Sequence, residues 1–531
     1  MNRQSFQTFA SFIVAACLGW TITLAKADEL SLHPLLTDHA VLQQGQSVPV
    51  WVTADPDAIV TVAFADQSIT ATADSNGHWM ARLAPMIANA TPSTMRVTSG
   101  DASVSVSDIL VGEVWVCSGQ SNMAAMVRNS TDYPMIQKQI ATTNDLDQVR
   151  LFKVPVAGAD KRQATVNATW QTAGETSVST FSAVGFYFGR ALNRDRNVPV
   201  GLIHTASGGT NAYSWINSET YRSDRVAEVS RNHWSAVVKK GPASLERFKK
   251  QQAAWQETVR NARKAKQPVV GKAPREPLHR DHVKRPTGHY NSMIAPLQPY
   301  AIQGAIWYQG EANSRPPFCS QYKDLMLALV DDWRTDWHAM ADDKTQRRDF
   351  PFYLVQLPNY GRGHAQGWPV IREQMLQFAS DGVNTGMVTT IDVGDANDIH
   401  PRNKMPVGER LALIARAETF GESIVASGPI FREMRLNAGK AILSFDHVGS
   451  RLISSDQQPL RHFEIAGKDG VFKTADAIID KDTVVVSSPD VKQPMHVRYA
   501  WSNNPENPNF VNAEDLVASP FRTDDNAITF D

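Results

Sequence analysis

The chain has 531 residues, of which 42% are hydrophobic and 20% charged, and its formal net charge is −1. That length exceeds one ordinary domain, and that composition excludes a disordered or fibrous chain. The near-neutral charge argues against a nucleic-acid partner, because holding phosphates takes a concentrated basic surface. A small, neutral or modestly charged substrate fits it better.

The N-terminus, MNRQSFQTFASFIVAACLGWTITLAKA, runs from Arg3 through an apolar stretch to Ala25-Lys26-Ala27, an A-x-A cleavage pattern. It predicts a secretory signal over residues 1–27 and export to the periplasm or the cell exterior. The rival is a lipoprotein box ending at Cys17, against which the apolar run continues for several residues. No later apolar run is long enough to cross a bilayer, so no integral membrane segment is expected in the mature chain. Without Cys17, Cys117 and Cys319 remain, either paired with each other or buried as small apolar thiols.

Residues 28–105 alternate short β-like runs (VPVWV, AIVTVAF, SITATA, HWMARL) with turns, and Asn76-Gly77 is a hairpin signal. They predict a small all-β sandwich. From 106 to 425 the pattern becomes strand, loop, helix. Strands are expected in VGEVWVC (111–117), VGLIHTA (200–206), GAIWYQG (304–310), FYLVQL (352–357) and GMVTTIDV (386–393). Helical patterns such as VGFYFGRALNRDR and YKDLMLALVDDWRTDW lie between them. Apolar strands alternating with amphipathic helices imply an α/β domain with a parallel sheet flanked by helices. Near 218–288 a charged insert, including ASLERFKKQQAAWQETVRNARKAKQ, reads as a solvated helix ending in a Pro-rich loop. His279 and His282 in that loop have metal-like spacing, but no cysteine or carboxylate set completes a site, so no metal is expected. Residues 426–531 return to β patterning (KAILSFDHVG, FEIAG, TVVVSS, MHVRYAW) and predict a second all-β domain, either separate or packed with the first.

In such sheets ligands bind at the carboxyl ends of the strands. The stretch VWVCSGQSNM puts Ser121 there. A serine hydroxyl attacks only if a base takes its proton and donors stabilise the oxyanion. Three other strand-end loops offer such groups. SGGTNAYSW presents the backbone N–H groups of Gly208 and Gly209; QGEANS offers Gly310 and the Asn313 amide; GDANDIHPRNK offers His400, with Asp395, Asn397 and Asp398 nearby to orient it. Each loop alone is weak, since serines, glycine pairs and Asn-containing runs also build turns and caps. Together they point to one active site.

The order Ser, Gly, Asn, His and the words LTDHAVLQQ, DILVGEVWVCSGQSNM, SGGT, YNSMIAPL, WYQGEAN, DIHPRNKMPVGERLA and ASPFRTD resemble the SGNH hydrolases. The closer resemblance is to the sialate O-acetylesterase family of carbohydrate acetylesterases. It implies a flavodoxin-like SGNH hydrolase domain with N- and C-terminal all-β domains. It also implies a serine esterase acting on acetylated carbohydrate, with no cofactor.

Position by position, the resemblance makes Ser121 the nucleophile and His400 the general base. The Ser121 N–H, Gly208 or Gly209, and Asn313 become the oxyanion donors. Gln120, Asn122, Tyr213, Trp215, Gln309 and Glu311 border the expected pocket as substrate-contact candidates. Trp307 and Tyr308 offer further ring faces, although Trp307 sits within a strand pattern and reads as core.

Three departures stand out. Asn397 occupies the position three before the histidine where the family often has Asp. Ser207-Gly208-Gly209-Thr210 replaces Trp-Gly-Gly-Thr, and Tyr213-Ser214-Trp215 replaces Glu-Ala-Trp. The first makes Asp398 the expected acid, with Asp395 or a backbone carbonyl as alternatives for orienting His400, and the other two border the pocket and bear on the substrate. An acetylated sialic acid, an acetylated plant polysaccharide such as xylan, and a non-catalytic carbohydrate-binding protein on the same fold are the three readings of function. The intact Ser, Gly, Asn and His set disfavours the last.

Overall fold

The structure is a computed structural model that describes residues 30–341, 349–364 and 366–526; the expected signal segment and Cys17 lie outside them. Near the N-terminus, Val48–Thr53, Ile59–Phe64 and His78–Leu83 alternate deeply and less deeply buried residues, as strands with one face on a core do. Val48–Thr53 lies between Ser31–Leu32 and His78–Leu83 in one small sheet, while Ile59–Phe64 pairs with Gln67–Thr72 and Asn89–Ser99 in another. The Asn76-Gly77 turn forms, with the Asp74 N–H donating to the His78 carbonyl at 2.9 Å. The strands on either side of it enter different sheets, so it is a crossover turn and not a hairpin of paired strands.

One strand, Ala102–Gly119, passes straight through the boundary expected at 105–106. Its first part pairs antiparallel with Asn89–Ser99. Its second part pairs in parallel with Val200–Ala206 on one side and Gly304–Tyr308 on the other. From Ile109 onward every residue is buried, the signature of a strand covered on both faces. Accordingly, one hydrophobic core runs from Leu30 to Ala415 and joins the N-terminal β region to the α/β region.

Across the central sheet the order is Trp170–Thr172, Val149–Lys153, Val200–Ala206, Ala102–Gly119, Gly304–Tyr308, Phe352–Val355 and Thr385–Val388. All neighbours are parallel except the edge strand Trp170–Thr172. That edge strand and Val149–Lys153 are additions to the strands expected from sequence. Helices Ala183–Arg196 and Met405–Ile414 pack together, as do Tyr322–Ala341 and Gly367–Asp381. The insert contains a 37-residue helix, Glu228–Lys264, that buries only Ser230 and Gly241. No helix among the described residues is long and apolar enough to cross a membrane.

The C-terminal β region has a separate core built on Phe445, Phe463, Tyr499, Phe510 and Phe521. Its sheets include Ile430–Asn437, Lys440–Asp446, Asp476–Asp480 and Thr483–Ser487 in one, and Phe463–Ala466 with His496–Tyr499 in another. Arg372, fully buried on helix Gly367–Asp381, fastens it to the α/β region. Its guanidinium donates to the carbonyls of Leu357 (2.7 Å) and Pro358 (2.7 Å) on one side and of Ser502 (2.7 Å) and Asn503 (3.2 Å) on the other. Arg522 pairs with Glu373 across the same border at 2.9 Å.

Candidate active site

Register brings the predicted loops to one level. Gly119 pairs with Ala206 on one side and Tyr308 on the other, so Ser121, Ser207-Gly208 and Gln309 all follow immediately from adjacent strand ends. Gly119 is required there: its φ is +137°, and a Cβ would sit 2.2 Å from the Tyr308 carbonyl oxygen. The loop after Thr385–Val388 folds back over these ends. It is tied down by the Asn122 amide donating to the Ile399 carbonyl at 3.0 Å and by the Thr131 N–H donating to the Arg402 carbonyl at 3.1 Å.

This return places His400 Nε2 2.8 Å from Ser121 Oγ, close enough for the imidazole to accept the hydroxyl proton. Burial lowers the His400 pKa below its ordinary value; Asp398 pulls it up and Lys404 pushes it further down. The neutral imidazole needed to accept a proton is therefore favoured near pH 7. The pair opens onto a cleft of ≈ 580 Å³ lined also by Met126, Asn129, Asp398, Arg402 and Lys404.

Asp398 does not hydrogen-bond the His400 ring. Its Oδ1 accepts the His400 backbone N–H at 2.9 Å and lies 3.9 Å from Nδ1. Two residues of separation turn the carboxylate onto the histidine's own backbone, an Asx-type turn, instead of onto its side chain. Asp395 likewise accepts the backbone N–H groups of Asn397 and Asp398, so it does not orient the ring either.

Gly208 packs on the serine: a Cβ there would meet Ser121 Cβ at 3.6 Å. Gly209 has φ +67° and faces Lys284 Nζ, 3.1 Å from where its Cβ would be. Lys284 is carried by the loop that follows the insert's long helix. Asn313 is buried. Its Oδ1 accepts from the Ala212 N–H (3.0 Å) and Gln309 Nε2 (2.7 Å), and its Nδ2 donates to Asn211 Oδ1 (3.1 Å), which leaves the second amide proton for another acceptor.

The residues proposed to touch substrate belong mostly to the interior. Trp215 is fully buried, edge-on to Trp307, which in turn meets Trp333. Tyr213 is buried and donates its hydroxyl to the Val226 carbonyl at 2.9 Å. Gln120 and Gln309 are joined by a 3.1 Å hydrogen bond that braces two loops. Asn122 and Glu311 are bonded to each other at 2.5 Å beneath the serine. Trp307 and Tyr308 are fully buried strand residues, as a core reading requires. Cys117 and Cys319 are unpaired and buried, and burial raises both thiol pKa values, that of Cys319 to about 11.

One charged residue escaped the sequence reading. Lys404, four positions after His400, is 2% exposed and donates to Asn122 Oδ1 at 2.5 Å. Burial depresses its pKa to about 7, with Glu311 and Asp398 acting in the opposite direction.

Residues 111–239 and 276–415, about half of the chain, match the family described as carbohydrate esterase, sialic acid-specific acetylesterase. The chain belongs to this family. It is a carboxylic ester hydrolase, as members of the carbohydrate esterase family are. The gap within the match covers the C-terminal part of the long helix and the loop beyond it.

The sialate O-acetylesterase of Mus musculus is 28% identical over 88% of this chain and 89% of its own length. That of Homo sapiens is 27% identical over 77% of this chain and 75% of its own length. The solved structure of a carbohydrate acetylesterase from Xanthomonas citri is 32% identical, covers 93% of this chain and 100% of its own, and superposes with a TM-score of 0.77.

Proposed function

We propose that this esterase is an exported SGNH hydrolase that removes O-acetyl groups from carbohydrate through an acetyl-serine intermediate. The observation that carries the reading is the 2.8 Å contact between Ser121 Oγ and His400 Nε2 at the carboxyl ends of the sheet. His400 takes the Ser121 proton while Oγ bonds to the acetyl carbonyl carbon. The resulting oxyanion is held by the Ser121 and Gly208 or Gly209 N–H groups and the Asn313 amide. As the carbonyl re-forms, the bond to the sugar oxygen breaks and His400 returns its proton to that oxygen. Water activated by the same histidine then attacks the acetyl-serine, and acetate leaves with Ser121 restored.

An O-acetylated sialic acid is the first substrate reading, supported by the family description and by the named activity of the mammalian relatives. A second reading, an acetylated plant polysaccharide, is favoured by the open cleft beside Ser121. It is also compatible with the Xanthomonas citri protein, which is described only as a carbohydrate acetylesterase. Acetate release from O-acetylated sialoglycan and from acetylxylan, by the wild type and by Ser121→Ala, separates them. Release from sialoglycan alone, abolished in the variant, supports the first reading, and release from xylan replaces the substrate. Undiminished release by Ser121→Ala overturns the mechanism.

A further inference from the structure

His400 is held against Ser121 although no carboxylate among the described residues hydrogen-bonds its ring, so something else sets its position. The Asn122 side chain joins the loop of Ser121 to the loop of His400 right beside the reacting pair, while farther along Arg402 Nε donates to the Asn129 carbonyl at 2.8 Å and Thr131 Oγ1 to the Arg402 carbonyl at 3.1 Å. Asn122 follows Ser121 in the chain, and its Nδ2 donates to the carbonyl of Ile399, the residue before His400, at 3.0 Å. Both ends of this amide are assigned by charged partners. Lys404 Nζ donates to Oδ1 at 2.5 Å, and Glu311 Oε1 accepts from Nδ2 at 2.5 Å. With a cation at one end and a carboxylate at the other, a flipped amide would oppose like to like, so the donor is locked toward Ile399.

All three groups are buried, where such contacts are strong and a missing partner is costly. Lys404 also lies 5.2 Å from the centre of the Tyr308 ring. Because Lys404 is on the same loop as His400, the cation adds a further tie between that loop and the serine's loop, directly at Asn122.

We infer that Lys404 is a positioning residue: through the Asn122 amide it holds the Ile399 carbonyl, and so the His400 ring, against Ser121, in place of a ring-bonded acid. The inference rests on reading Ser121 and His400 as nucleophile and base. It also makes Lys404 the cation that His400 faces. The other charged group facing the imidazole is Asp398, and Lys404 itself faces Glu311, Asp398 and the Tyr308 ring. A base works only when unprotonated, so kcat/KM rises as pH passes above the His400 pKa. Lys404 lowers that pKa by its positive charge, which is present at the acid pH where this limb lies, since its own pKa is about 7. Removing the charge therefore moves the acid limb to higher pH.

The test is hydrolysis of 4-nitrophenyl acetate, a neutral ester, by the full mature protein across pH. Lys404→Met is expected to lower kcat by about 10²-fold with KM within about twofold, the size of loss that misplacing a reacting group produces. Its acid limb should move up. Lys404→Gln keeps a donor for Asn122 without the charge; it should recover most of kcat above neutral pH while retaining the shifted limb. Asp398→Asn, at an exposed position, should change kcat by less than about tenfold, because the carboxylate serves the backbone of His400 and not its ring.

Wild-type kcat and an unmoved limb in both Lys404 variants overturn the inference. A loss of about 10³-fold or more in Asp398→Asn also overturns it, and this result can be read even if the lysine variants fail to fold. Ser121→Ala is the control for the underlying reading: activity in that variant removes the nucleophile assignment itself, whereas an inactive Ser121→Ala beside a fully active Lys404→Met removes only the role of the lysine.

Discussion

The N-terminal β region shares a strand and a core with the central sheet, whereas the C-terminal β region has its own aromatic core and meets the α/β region at a border fastened by Arg372 and Arg522. Both are β-rich and mostly antiparallel, so secondary structure alone does not separate them. Continuity does. A strand such as Ala102–Gly119, paired with one region along its first part and the other along its second, makes the two fold as one unit. A region with a separate core can loosen while the rest stays folded, and its coupling is set by the contacts at the border.

The sharpest way to break this contrast is Arg372→Met, which removes four charge-assisted hydrogen bonds, to the carbonyls of Leu357, Pro358, Ser502 and Asn503. Trp368 Nε1 still donates to Pro358 and the Tyr360 N–H to Asn503, so the cost is that of the lost hydrogen bonds from a charged donor, on the order of 4 kcal/mol in all. Scanning calorimetry should then resolve two unfolding transitions, and one transition at the wild-type Tm would show that the C-terminal region is held otherwise. Next comes Leu42→Ala, at a fully buried residue paired with Val111 on the long strand. It should cost about 2–5 kcal/mol. Its expected signature is opposite: a single transition at lower temperature, with esterase activity and N-terminal structure lost together. The smallest effect belongs to Arg522→Gln, which removes one partly buried ion pair across the C-terminal border. A loss of about 1–2 kcal/mol is expected, read as a lower midpoint in urea with little change in kcat.

Much of this was legible because burial leaves a trace in the chain. Val200–Ala206 and Gly304–Tyr308 are largely apolar runs, and they are parallel strands buried along their whole length. Val149–Lys153 and Trp170–Thr172 are short and carry Arg150, Lys153 and Gln171, which hide a strand from an apolarity pattern.

At the site, the meeting of Ser121 and His400 was legible because each sits in a polar loop that follows an apolar strand, although the strand before His400 ends at Val388. The role of Asp398 was not, since one residue of spacing decides whether a carboxylate meets an imidazole ring or a backbone N–H. Tyr213 and Trp215 were substrate-contact candidates because they border the expected pocket, whereas Trp307 and Trp333 supply an interior for Trp215 to fill. Lys404 was overlooked because lysines usually lie at the surface. The available signal was its place four residues beyond the histidine, immediately before helix Met405–Ile414, where the loop is drawn into the protein.

The two unpaired thiols give the molecule an internal clock. Cys117 lies in the middle of the central sheet and Cys319 in the turn before helix Tyr322–Ala341, and each is fully enclosed. A thiol reacts through its thiolate and only where reagent can reach it. An alkylating reagent added to the native enzyme will therefore modify neither until the surrounding structure opens. Mass spectrometry of the two cysteine peptides over time then reports how often the sheet and the site's supporting turn come apart, without a denaturant and without an introduced label.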